Sequence, residues 1–414
     1  MKKPYITSND IRSQLSNLKQ LTFEVTDACN LNCKYCAYGE LYNDFDIRKN
    51  KKMDLSSAIA LIDYLVSLWN SEQNTSKNRN VYISFYGGEP LLNMPFIQAI
   101  VDYIENIQCP CRSFTFSMTT NALLLDRYMD YLVCHDFNLL ISLDGNEHNT
   151  SYRVYRSEKP AYPEIIKNID LLHEKYPDFF ARKVNFNAVL HNRNSVSEIY
   201  EFFKDKYDKI PSIGELNSTG IRPDKLALFY KTYRNSYESL HQSENYEQIE
   251  RELFMNSTTY GTLTTFIHQY SGFVYRDYNE LLFGKPPKTI PTGTCIPFSR
   301  RVFMTVNGKI LPCERIGQQF SVGAVSDSKV ELNLEDIAEK YNNYFSKLEK
   351  QCHTCYSANS CIQCIFNLND LNDSPVCHGY MNKQAFEVYK ARQLDFLRKH
   401  PEEYYRIMEE VILE

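Results

Sequence analysis

Three cysteines near the amino end constrain this 414-residue chain more than any other feature. Cys29, Cys33 and Cys36 follow the apolar run 21–25, which is typical of a short buried strand, so they lie in the loop at its carboxyl end. Zinc sites and clusters held entirely by protein take four ligands. Three close thiolates on a four-iron cluster leave one iron open to a small molecule. The spacing therefore favours a 4Fe–4S cluster, with a zinc site completed by a distant fourth ligand, or three cysteines grouped without a metal, as the alternatives.

Cysteine usage and charge indicate where the protein works. Thirteen cysteines, an odd number, in a chain whose start shows no secretion signal favour metal ligands over disulfides. The formal net charge of −5 gives no reason to expect nucleic acid or a membrane surface as a partner. No apolar stretch approaches the length of a membrane span. We therefore expect a cytoplasmic protein that binds neither nucleic acid nor a membrane.

Apolar periodicity predicts six strands that alternate with helices. The predicted strands are 21–26, 81–86, 113–119, 138–143, 183–190 and 212–216, and the predicted helices are 53–69, 94–107, 123–135, 163–175 and 195–206. This pattern predicts an α/β fold, a partial (β/α)6 TIM-like barrel, whose chemistry lies at the carboxyl ends of the strands. Polar or glycine residues follow five of these strands: Cys29, Gly87, Asn121, Asp144 and Asn192.

Composition divides the chain into five segments. Residues 1–20 form a short polar extension, and 21–217 form the barrel. A helical bridge, rich in Tyr, Asn and Ser, follows at 218–290, with predicted helices at 225–237, 246–254 and 263–278. A small cysteine-rich domain at 291–380 and a helical segment at 381–414 complete the chain.

A second group of cysteines marks the cysteine-rich domain. Seven lie within about 85 residues, which is too dense for chance: Cys295, Cys313, Cys352, Cys355, Cys361, Cys364 and Cys377. Asn307-Gly308 predicts a hairpin between 302–306 and 309–311, which would present the second of these cysteines beside the first. Two C-x2-C pairs with His353 and His378 nearby are also a zinc-ribbon pattern. Seven thiols exceed one zinc site, however, whereas two clusters use nearly all of them.

Three cysteines stand outside both groups. Cys109 and Cys111, with Pro110 between them, are too closely spaced for an obvious chelate, and Cys134 lies within a predicted helix. We interpret all three as buried or idle thiols.

The C-x3-C-x2-C loop resembles the signature of the radical S-adenosylmethionine (SAM) enzymes. The resemblance implies that Cys29, Cys33 and Cys36 hold a 4Fe–4S cluster whose fourth iron takes the amino and carboxylate groups of SAM. The reduced cluster would cleave SAM to methionine and a 5′-deoxyadenosyl radical, which removes a hydrogen atom from the substrate. A flavodoxin- or ferredoxin-type protein would supply the electron.

Further elements of the barrel resemble SAM-contacting segments of that family. The Gly-Gly-Glu-Pro run at 87–90 resembles the GGE element of that family, which meets the amino group of SAM. Ser142, Asp144 and Arg153 resemble a segment that meets the ribose and carboxylate of SAM. Thr119-Thr120-Asn121-Ala122 stands where relatives usually carry Thr-Asn-Gly. Each residue also has an ordinary alternative as a turn, cap or core residue. The SAM contacts implied by the resemblance are Tyr35, Gly87, Gly88, Glu89, Pro90, Asn121, Ser142, Asp144, Arg153 and Val189.

The second cysteine group resembles the SPASM extension of radical SAM enzymes, which carries two auxiliary 4Fe–4S clusters. By position, one cluster would take Cys352, Cys355, Cys361 and Cys377, and the other would take Cys295, Cys313 and Cys364. The last pair is C-x2-C where the family usually has C-x3-C. The auxiliary cluster held by Cys295, Cys313 and Cys364 has only three cysteines, so its fourth position would be open, filled by another side chain, or taken by a substrate thiolate.

The SPASM resemblance implies a peptide-modifying enzyme of a ribosomal-peptide pathway. It would abstract hydrogen from Cα or Cβ of a precursor-peptide residue and install a cross-link. A thioether is favoured if the auxiliary cluster with three cysteine ligands binds a cysteine thiolate of the substrate. Otherwise a carbon–carbon or carbon–oxygen link is expected. One alternative is an anaerobic sulfatase-maturing enzyme, which forms formylglycine, since Glu314 matches the place of an aspartate base in that group. The other is a zinc-binding interaction protein.

Overall fold

The computed structural model describes residues 4–76, 79–271, 290–368 and 370–411. The chain forms two compact units. The sheet unit comprises Ile11–Leu253 and Pro297–Asn333, and the cysteine unit comprises Met1–Asp10, Phe254–Ile296 and Leu334–Glu414. The division of the sequence into five segments stays a prediction.

A mixed sheet organises the sheet unit. Among the described residues it has ten strands: β1 Gln20–Thr26, β2 Arg79–Gly87, β3 Arg112–Thr120, β4 Asn138–Ser142, β5 Val184–Val189, β6 Ser212–Gly214, β7 Val302–Met304, β8 Lys309–Leu311, β9 Gly323–Ser326 and β10 Lys329–Glu331. Their order is β10-β9-β8-β7-β1-β2-β3-β4-β5-β6. Strands β1 to β6 pair in parallel, in sequence order. The predicted α/β class with a parallel sheet is therefore confirmed.

Helices connect these strands and bury their apolar faces. The helices that begin in this unit after β1 are α2 Leu55–Trp69, α3 Met94–Glu105, α4 Leu125–Cys134, α5 Tyr162–Lys175, α6 Pro177–Lys183, α7 Val196–Tyr207, α8 Leu226–Thr232, α9 Ser236–His241 and α10 Tyr246–Leu253. Asp54 caps α2 by accepting a hydrogen bond from the Ser57 N–H at 2.8 Å. On that helix the apolar face, including Leu61 and Leu65, is fully buried.

Two segments differ from the helices predicted from periodicity. The polar-looking amino-terminal segment contains helix α1, Ser8–Ser16, which buries Ile11 and Leu15. The single helix expected over 225–237 is divided, because Tyr233 is extended and Asn235 starts a new helix by accepting a hydrogen bond from the Glu238 N–H. A side chain that caps the backbone within a helical pattern overrides the apolar spacing there.

The predicted hairpin is present and joins the barrel sheet. β7 and β8 are antiparallel, and Gly308 occupies the turn with φ of +79°. β7 also pairs in parallel with β1, Val302 opposite Leu21. The hairpin therefore extends the sheet that carries the first cysteine loop, and β9 and β10, which the sequence did not predict, continue it.

The cysteine unit is helical, with a loop region that carries most of the remaining cysteines. Its helices are α11 Thr258–Ser271, α12 Leu334–His353, α13 Lys383–Lys399 and α14 Pro401–Glu410. Tyr341, Phe345 and Leu348 form the buried face of α12. The helix predicted over 263–278 begins earlier, at Thr258, and its part beyond 271 lies outside the described residues. None of the helices in the described part of the chain is long and apolar enough to cross a bilayer.

Candidate active site

The three cysteines that follow β1 lie together in a partly buried loop. Tight turns hold it, because the Cys36 N–H donates to the Cys33 carbonyl at 3.1 Å and the Gly39 N–H donates to the Cys36 carbonyl at 2.8 Å. Burial raises the pKa of the Cys29 thiol to about 11 and that of Cys33 to about 12, and the neighbouring thiols add to both shifts. The structure thus brings the three predicted ligands into one electrostatic environment.

Hydrogen-bond donors point at these sulfur atoms. The Leu31 N–H lies 3.4 Å from Cys29 Sγ, the Asn121 amide nitrogen lies 3.8 Å from the same atom, and Arg48 Nη2 lies 3.6 Å from Cys36 Sγ. Such donors stabilise the negative charge of thiolates that hold an iron–sulfur cluster. Across the described ranges, no three Cys, His, Asp or Glu side chains are placed to hold a single metal ion. Three neighbouring thiols, two of which have hydrogen-bond donors on their sulfur atoms, fit a cluster with three protein ligands.

The Gly-Gly loop after β2 packs against the segment that leads into the cysteine loop. The Gly88 N–H donates to the Thr26 carbonyl at 2.8 Å, and the Glu89 N–H donates to the Ala28 carbonyl at 2.9 Å. A Cβ on Gly88 would lie 2.0 Å from the Ala28 carbonyl oxygen, and one on Gly87, whose φ is +134°, would lie 2.3 Å from the Thr26 carbonyl oxygen. Both glycines therefore permit a close contact with the protein's own backbone, at Thr26 and Ala28.

Glu89 connects this loop to the end of β3. Its carboxylate accepts hydrogen bonds from Thr120 Oγ1 at 2.7 Å, the Asn121 N–H at 2.8 Å and the Leu91 N–H at 3.1 Å. Burial raises the pKa of Glu89 to about 7, although these three donors oppose the shift. Pro90 is buried at the start of a short 3-10 turn. The Glu89 carboxylate thus uses its hydrogen-bonding capacity on groups of the protein itself.

Asn121 extends the same network to the cysteines. Its side-chain nitrogen donates to Asn30 Oδ1 at 2.8 Å, while its oxygen accepts from the Leu123 N–H at 3.0 Å. The next residue, Ala122, has φ of +64° and is fully buried. This left-handed conformation favours glycine, which explains the glycine of the Thr-Asn-Gly pattern and makes Ala122 a strained departure from it.

A buried ion pair lies beside the cysteine loop. Arg153 Nη2 and Nε contact the two carboxylate oxygens of Asp144 at 2.8 and 3.0 Å, and the Val189 N–H donates to Oδ1 at 2.9 Å. The Tyr35 hydroxyl donates to the same carboxylate. Burial by itself would raise the pKa of Asp144, but Arg153 and His191 lower it to about 2. Asp144 is thus a carboxylate bound by four donors.

Aromatic side chains surround that ion pair. The Tyr35 ring stacks on His191 with centroids 5.5 Å apart, and Arg153 lies 5.6 Å from the Tyr35 ring centre. Val189 packs on the same apolar cluster, which includes Tyr35 and Leu216. Ser142 is half-buried at the end of β4. The residues implied as SAM contacts therefore lie at or after the carboxyl ends of β1 to β5.

A polar cluster that the sequence reasoning missed lies across β1, β2 and β7. Glu24 is 2% exposed and accepts a hydrogen bond from the Val306 N–H at 2.9 Å. Burial raises its pKa to about 7. Burial also raises the pKa of Tyr86, and the nearby carboxylate of Glu314 adds to that shift. A charged residue within an apolar strand was the signal that could have identified Glu24.

Glu314 belongs to this part of the sheet unit. Its Oε1 accepts from Arg301 Nη1 at 2.5 Å, and its side chain is 14% exposed. Arg315 Nε lies 3.8 Å from the same oxygen. Cys313 precedes it, and burial raises the pKa of that thiol to about 11. The predicted base is therefore close to Tyr86 and paired with arginine.

Four cysteines of the cysteine unit lie together. Burial raises the pKa of Cys352 to about 11, and the thiols of Cys361, Cys377 and Cys355 add to that shift. Hydrogen bonds order this region, since the Met381 N–H lies 3.4 Å from Cys355 Sγ. These four are the cysteines assigned to one auxiliary cluster.

The remaining three cysteines are divided between the units. Cys295 and Cys364 lie in the cysteine unit, whereas Cys313 lies in the sheet unit. The segment before Cys295 runs beside that before Cys364, because the Gly293 N–H donates to the Gln363 carbonyl at 3.1 Å. Burial raises the pKa of Cys364, and the nearby Cys295 thiol adds to the shift. Whether Cys313 completes this pair stays a prediction.

Comparison with known proteins identifies the family. The family model described as the Radical SAM superfamily matches residues 23–205, which cover β1 to α7 and the first cysteine loop. Residues 23–205 therefore form a radical SAM domain. Its family implies a 4Fe–4S cluster and SAM, which the three thiols after β1 fit.

Several known proteins are similar to this chain. "Uncharacterized protein MJ0907" of Methanocaldococcus jannaschii is 34% identical over 159 residues, 38% of this chain and 50% of that protein. "Radical SAM cyclopropyl synthase TigE" of Paramaledivibacter caminithermalis is 23% identical over 397 residues, 90% of this chain and 72% of TigE. The "Cysteine-type anaerobic sulfatase-maturating enzyme" of Clostridium novyi is 26% identical over 194 residues, 46% of this chain and 49% of that enzyme. The chain thus spans about half the length of two of these three relatives.

A solved structure shares the fold over nearly the whole chain. It is native anSMEcpe with bound AdoMet and Kp18Cys peptide, with a TM-score of 0.57 and 16% identity. The match covers 92% of this chain and 99% of anSMEcpe. The likeness therefore extends beyond the radical SAM domain.

Proposed function

We propose that this radical SAM enzyme is a maturase that modifies a ribosomally made precursor peptide. The observation that carries the proposal is the gathering of three thiols, two of them with hydrogen-bond donors on sulfur, beside the predicted SAM contacts at one edge of the parallel sheet. Two observations support a peptide as the substrate. The relatives with assigned activities include TigE and an anaerobic sulfatase-maturating enzyme, and anSMEcpe, which shares the fold, was solved with a bound peptide.

In the proposed site Cys29, Cys33 and Cys36 hold the 4Fe–4S cluster. When bound, the cluster and SAM supply the 5′-deoxyadenosyl radical that removes a hydrogen atom from the substrate. The side chains beside them have two roles. Glu89 and Asp144, whose carboxylates are fully bonded within the protein, position the cysteine loop and the strand ends, while Ser142 and Val189 remain candidates for direct SAM contact.

For the auxiliary clusters we propose the ligand sets implied by the sequence. The mutual proximity of four thiols supports the set Cys352, Cys355, Cys361 and Cys377. The neighbouring thiols of Cys295 and Cys364 support the second set, to which Cys313 would add a third ligand. Because that set has three cysteines, a substrate thiolate could take the fourth position.

Glu314 is proposed to accept a proton from the substrate. Arg301 Nη1 donates to its Oε1 at 2.5 Å, which holds the carboxylate in one orientation. Its nearness to Tyr86, on the strand that leads into the Gly-Gly loop, places it on the side of the sheet unit where the polar cluster lies.

The bond that the enzyme forms is proposed to be a cross-link within the peptide. A thioether is expected if an auxiliary cluster binds a substrate thiolate. The name of TigE, a cyclopropyl synthase, supports carbon–carbon bond formation as the next choice, ahead of a carbon–oxygen link. A flavodoxin- or ferredoxin-type protein is proposed as the electron donor.

Anaerobic reconstitution tests the central claim. The wild-type chain, given dithionite and SAM, should form 5′-deoxyadenosine and methionine, whereas a variant with Cys29, Cys33 and Cys36 changed to Ala should form neither. That variant should keep about two-thirds of the iron, since two of three clusters would remain. Cys134→Ser, which changes an exposed thiol on α4, is the matched control and should behave as wild type. SAM cleavage by the triple variant would contradict the assignment.

Sulfatase maturation is the second candidate, favoured by the acidic Glu314 and by the C. novyi relative. Incubation with a sulfatase-derived peptide that carries the target cysteine distinguishes the two. Formylglycine, detected by mass spectrometry and hydrazide capture, would support sulfatase maturation. A peptide from a short open reading frame beside this gene that loses two hydrogen atoms, with or without loss of an alkylatable thiol, would support cross-linking.

A further inference from the structure

Two cysteines far along the sequence from the proposed cluster ligands lie side by side. Cys109 and Cys111, in the loop between α3 and β3, have their Sγ atoms 3.7 Å apart. Both lie beside the carboxyl end of α2. Cys111 Sγ is 3.3 Å from the Trp69 carbonyl oxygen and 3.4 Å from Asn70 Oδ1, and Cys109 Sγ is 3.8 Å from that same Oδ1.

Hydrogen bonding between these atoms does not account for all four contacts. Two thiols carry two S–H protons, and both oxygen atoms are acceptors that cannot donate. At most two of the four short contacts are therefore S–H hydrogen bonds. The Asn74 amide nitrogen donates to Cys111 Sγ at 3.6 Å and to the Trp69 carbonyl at 2.6 Å, which adds a donor at the edge of the group.

The four distances match four of the six edges of one coordination tetrahedron. With Zn–S of about 2.3 Å and Zn–O of about 2.1 Å, two sulfur ligands lie about 3.8 Å apart, and a sulfur and an oxygen lie about 3.5 Å apart. The observed Sγ–Sγ separation is 3.7 Å, and the sulfur–oxygen separations are 3.3, 3.4 and 3.8 Å. We propose that Cys109, Cys111, Asn70 and the Trp69 carbonyl form a binding site for a zinc-class divalent ion, separate from the iron–sulfur sites.

The surroundings of the group suit a cation. Trp69 is the last residue of the 15-residue helix α2, so its carbonyl, which accepts a hydrogen bond from the Asn74 side chain, lies at the negative end of the helix dipole. Two thiolates balance the charge of a divalent ion, so the site is neutral when loaded. Asn74, bonded to one sulfur and one carbonyl, orients two ligands from outside the tetrahedron.

The site also has a path of entry. The Cys109 residue is only 5% exposed to solvent. It nevertheless lines an open pocket of about 520 Å³, together with Glu105, Arg112 and His135. Cys111 is partly exposed. An ion can therefore reach the thiols from solvent, and its binding would fasten the loop before β3 to the end of α2.

Zinc binding by the reconstituted holoenzyme tests the site. Equilibrium dialysis against buffered zinc chloride, with zinc and iron counted by elemental mass spectrometry, should show one more zinc ion in wild type than in Cys109→Ser/Cys111→Ser. The affinity of that ion should fall more than about a hundredfold in Cys111→Ser and about tenfold in Asn70→Ala. Cys134→Ser, which changes another thiol that lines the pocket, should bind as wild type.

Three readouts keep the proposal falsifiable. Equal zinc content in wild type and the double-serine variant would overturn it, as would an equal loss in Cys134→Ser. Iron content should be unchanged in all variants, which shows that the fold and clusters persist. X-ray absorption at the zinc edge should show two sulfur ligands at about 2.3 Å that disappear in the double-serine variant, and a purely oxygen-ligated zinc in wild type would refute the assignment.

Discussion

The buried ion pair between Asp144 and Arg153 should be among the most costly to break in the sheet unit. Asp144 is fully buried and Arg153 is 6% exposed. Asp144→Asn removes the negative charge but keeps the side-chain shape, so the guanidinium stays buried without a counter-charge. Removal of one partner of such a pair costs about 3–5 kcal/mol. We therefore expect Asp144→Asn to lower the free energy of unfolding by several kcal/mol.

The pKa of Asp144 gives an independent magnitude. Arg153 and His191 lower it to about 2 despite burial, against about 3.9 in an unfolded chain. A shift of this size corresponds to about 2–3 kcal/mol of stability. Because the folded pKa is depressed, this contribution is complete above about pH 4 and is lost as the pH falls through about 2. The difference between wild type and variant should therefore be constant from pH 5 to pH 8.

Tryptophan fluorescence during urea unfolding measures how much Asp144→Asn lowers the stability of the sheet unit. The single tryptophan, Trp69, lies in the sheet unit, so its emission during anaerobic urea unfolding of the cluster-free chain reports that unit. Asp130→Asn is the matched control, because the same change on the exposed Asp130–Lys175 pair should leave the unfolding midpoint unchanged. The double variant Asp144→Asn/Arg153→Met should be more stable than the sum of the two single changes predicts.

The ion pair also bears on the cysteine loop, because Tyr35, which stands between Cys33 and Cys36, donates to Asp144. Asp144→Asn should therefore lower the iron retained after reconstitution and gel filtration, even below the unfolding midpoint. A destabilisation under about 1 kcal/mol, or additive single and double variants, would refute the reasoning about an uncompensated buried charge.

Three further changes follow from local geometry. Ala122→Gly should raise the free energy of unfolding by up to about 1 kcal/mol, because φ is +64° there; an unchanged urea midpoint would contradict this. Glu24→Gln should stabilise the chain at pH 8 but not at pH 4, because a carboxyl whose folded pKa is raised to about 7 destabilises the fold as it ionises; parallel pH–stability curves would contradict this. Gly88→Ala should abolish cluster loading, since its Cβ would lie 2.0 Å from the Ala28 carbonyl oxygen; retained iron would show that the loop can move.

Much of the fold followed from sequence patterns of short range. A buried strand shows as an apolar run and a helix as a period of 3.6, so β1 to β6 and the helices between them, apart from α6, were predicted to within a few residues. Asn307-Gly308 was enough for the hairpin, since that pair adopts the turn with little strain. The spacing of Cys29, Cys33 and Cys36 likewise lies within one loop, so the family could be recognised before any fold was known.

Contacts between segments that are distant in sequence were decided only by the tertiary structure. The pairing of β7 with β1, almost 300 residues apart, depends on which edge of the sheet remains open, and no local pattern encodes that. The same holds for the burial of Glu24 beneath Val306, and for Asn70 meeting Cys109 and Cys111. Local sequence sets the conformation of each segment, but packing of the finished sheet determines which polar groups share a site.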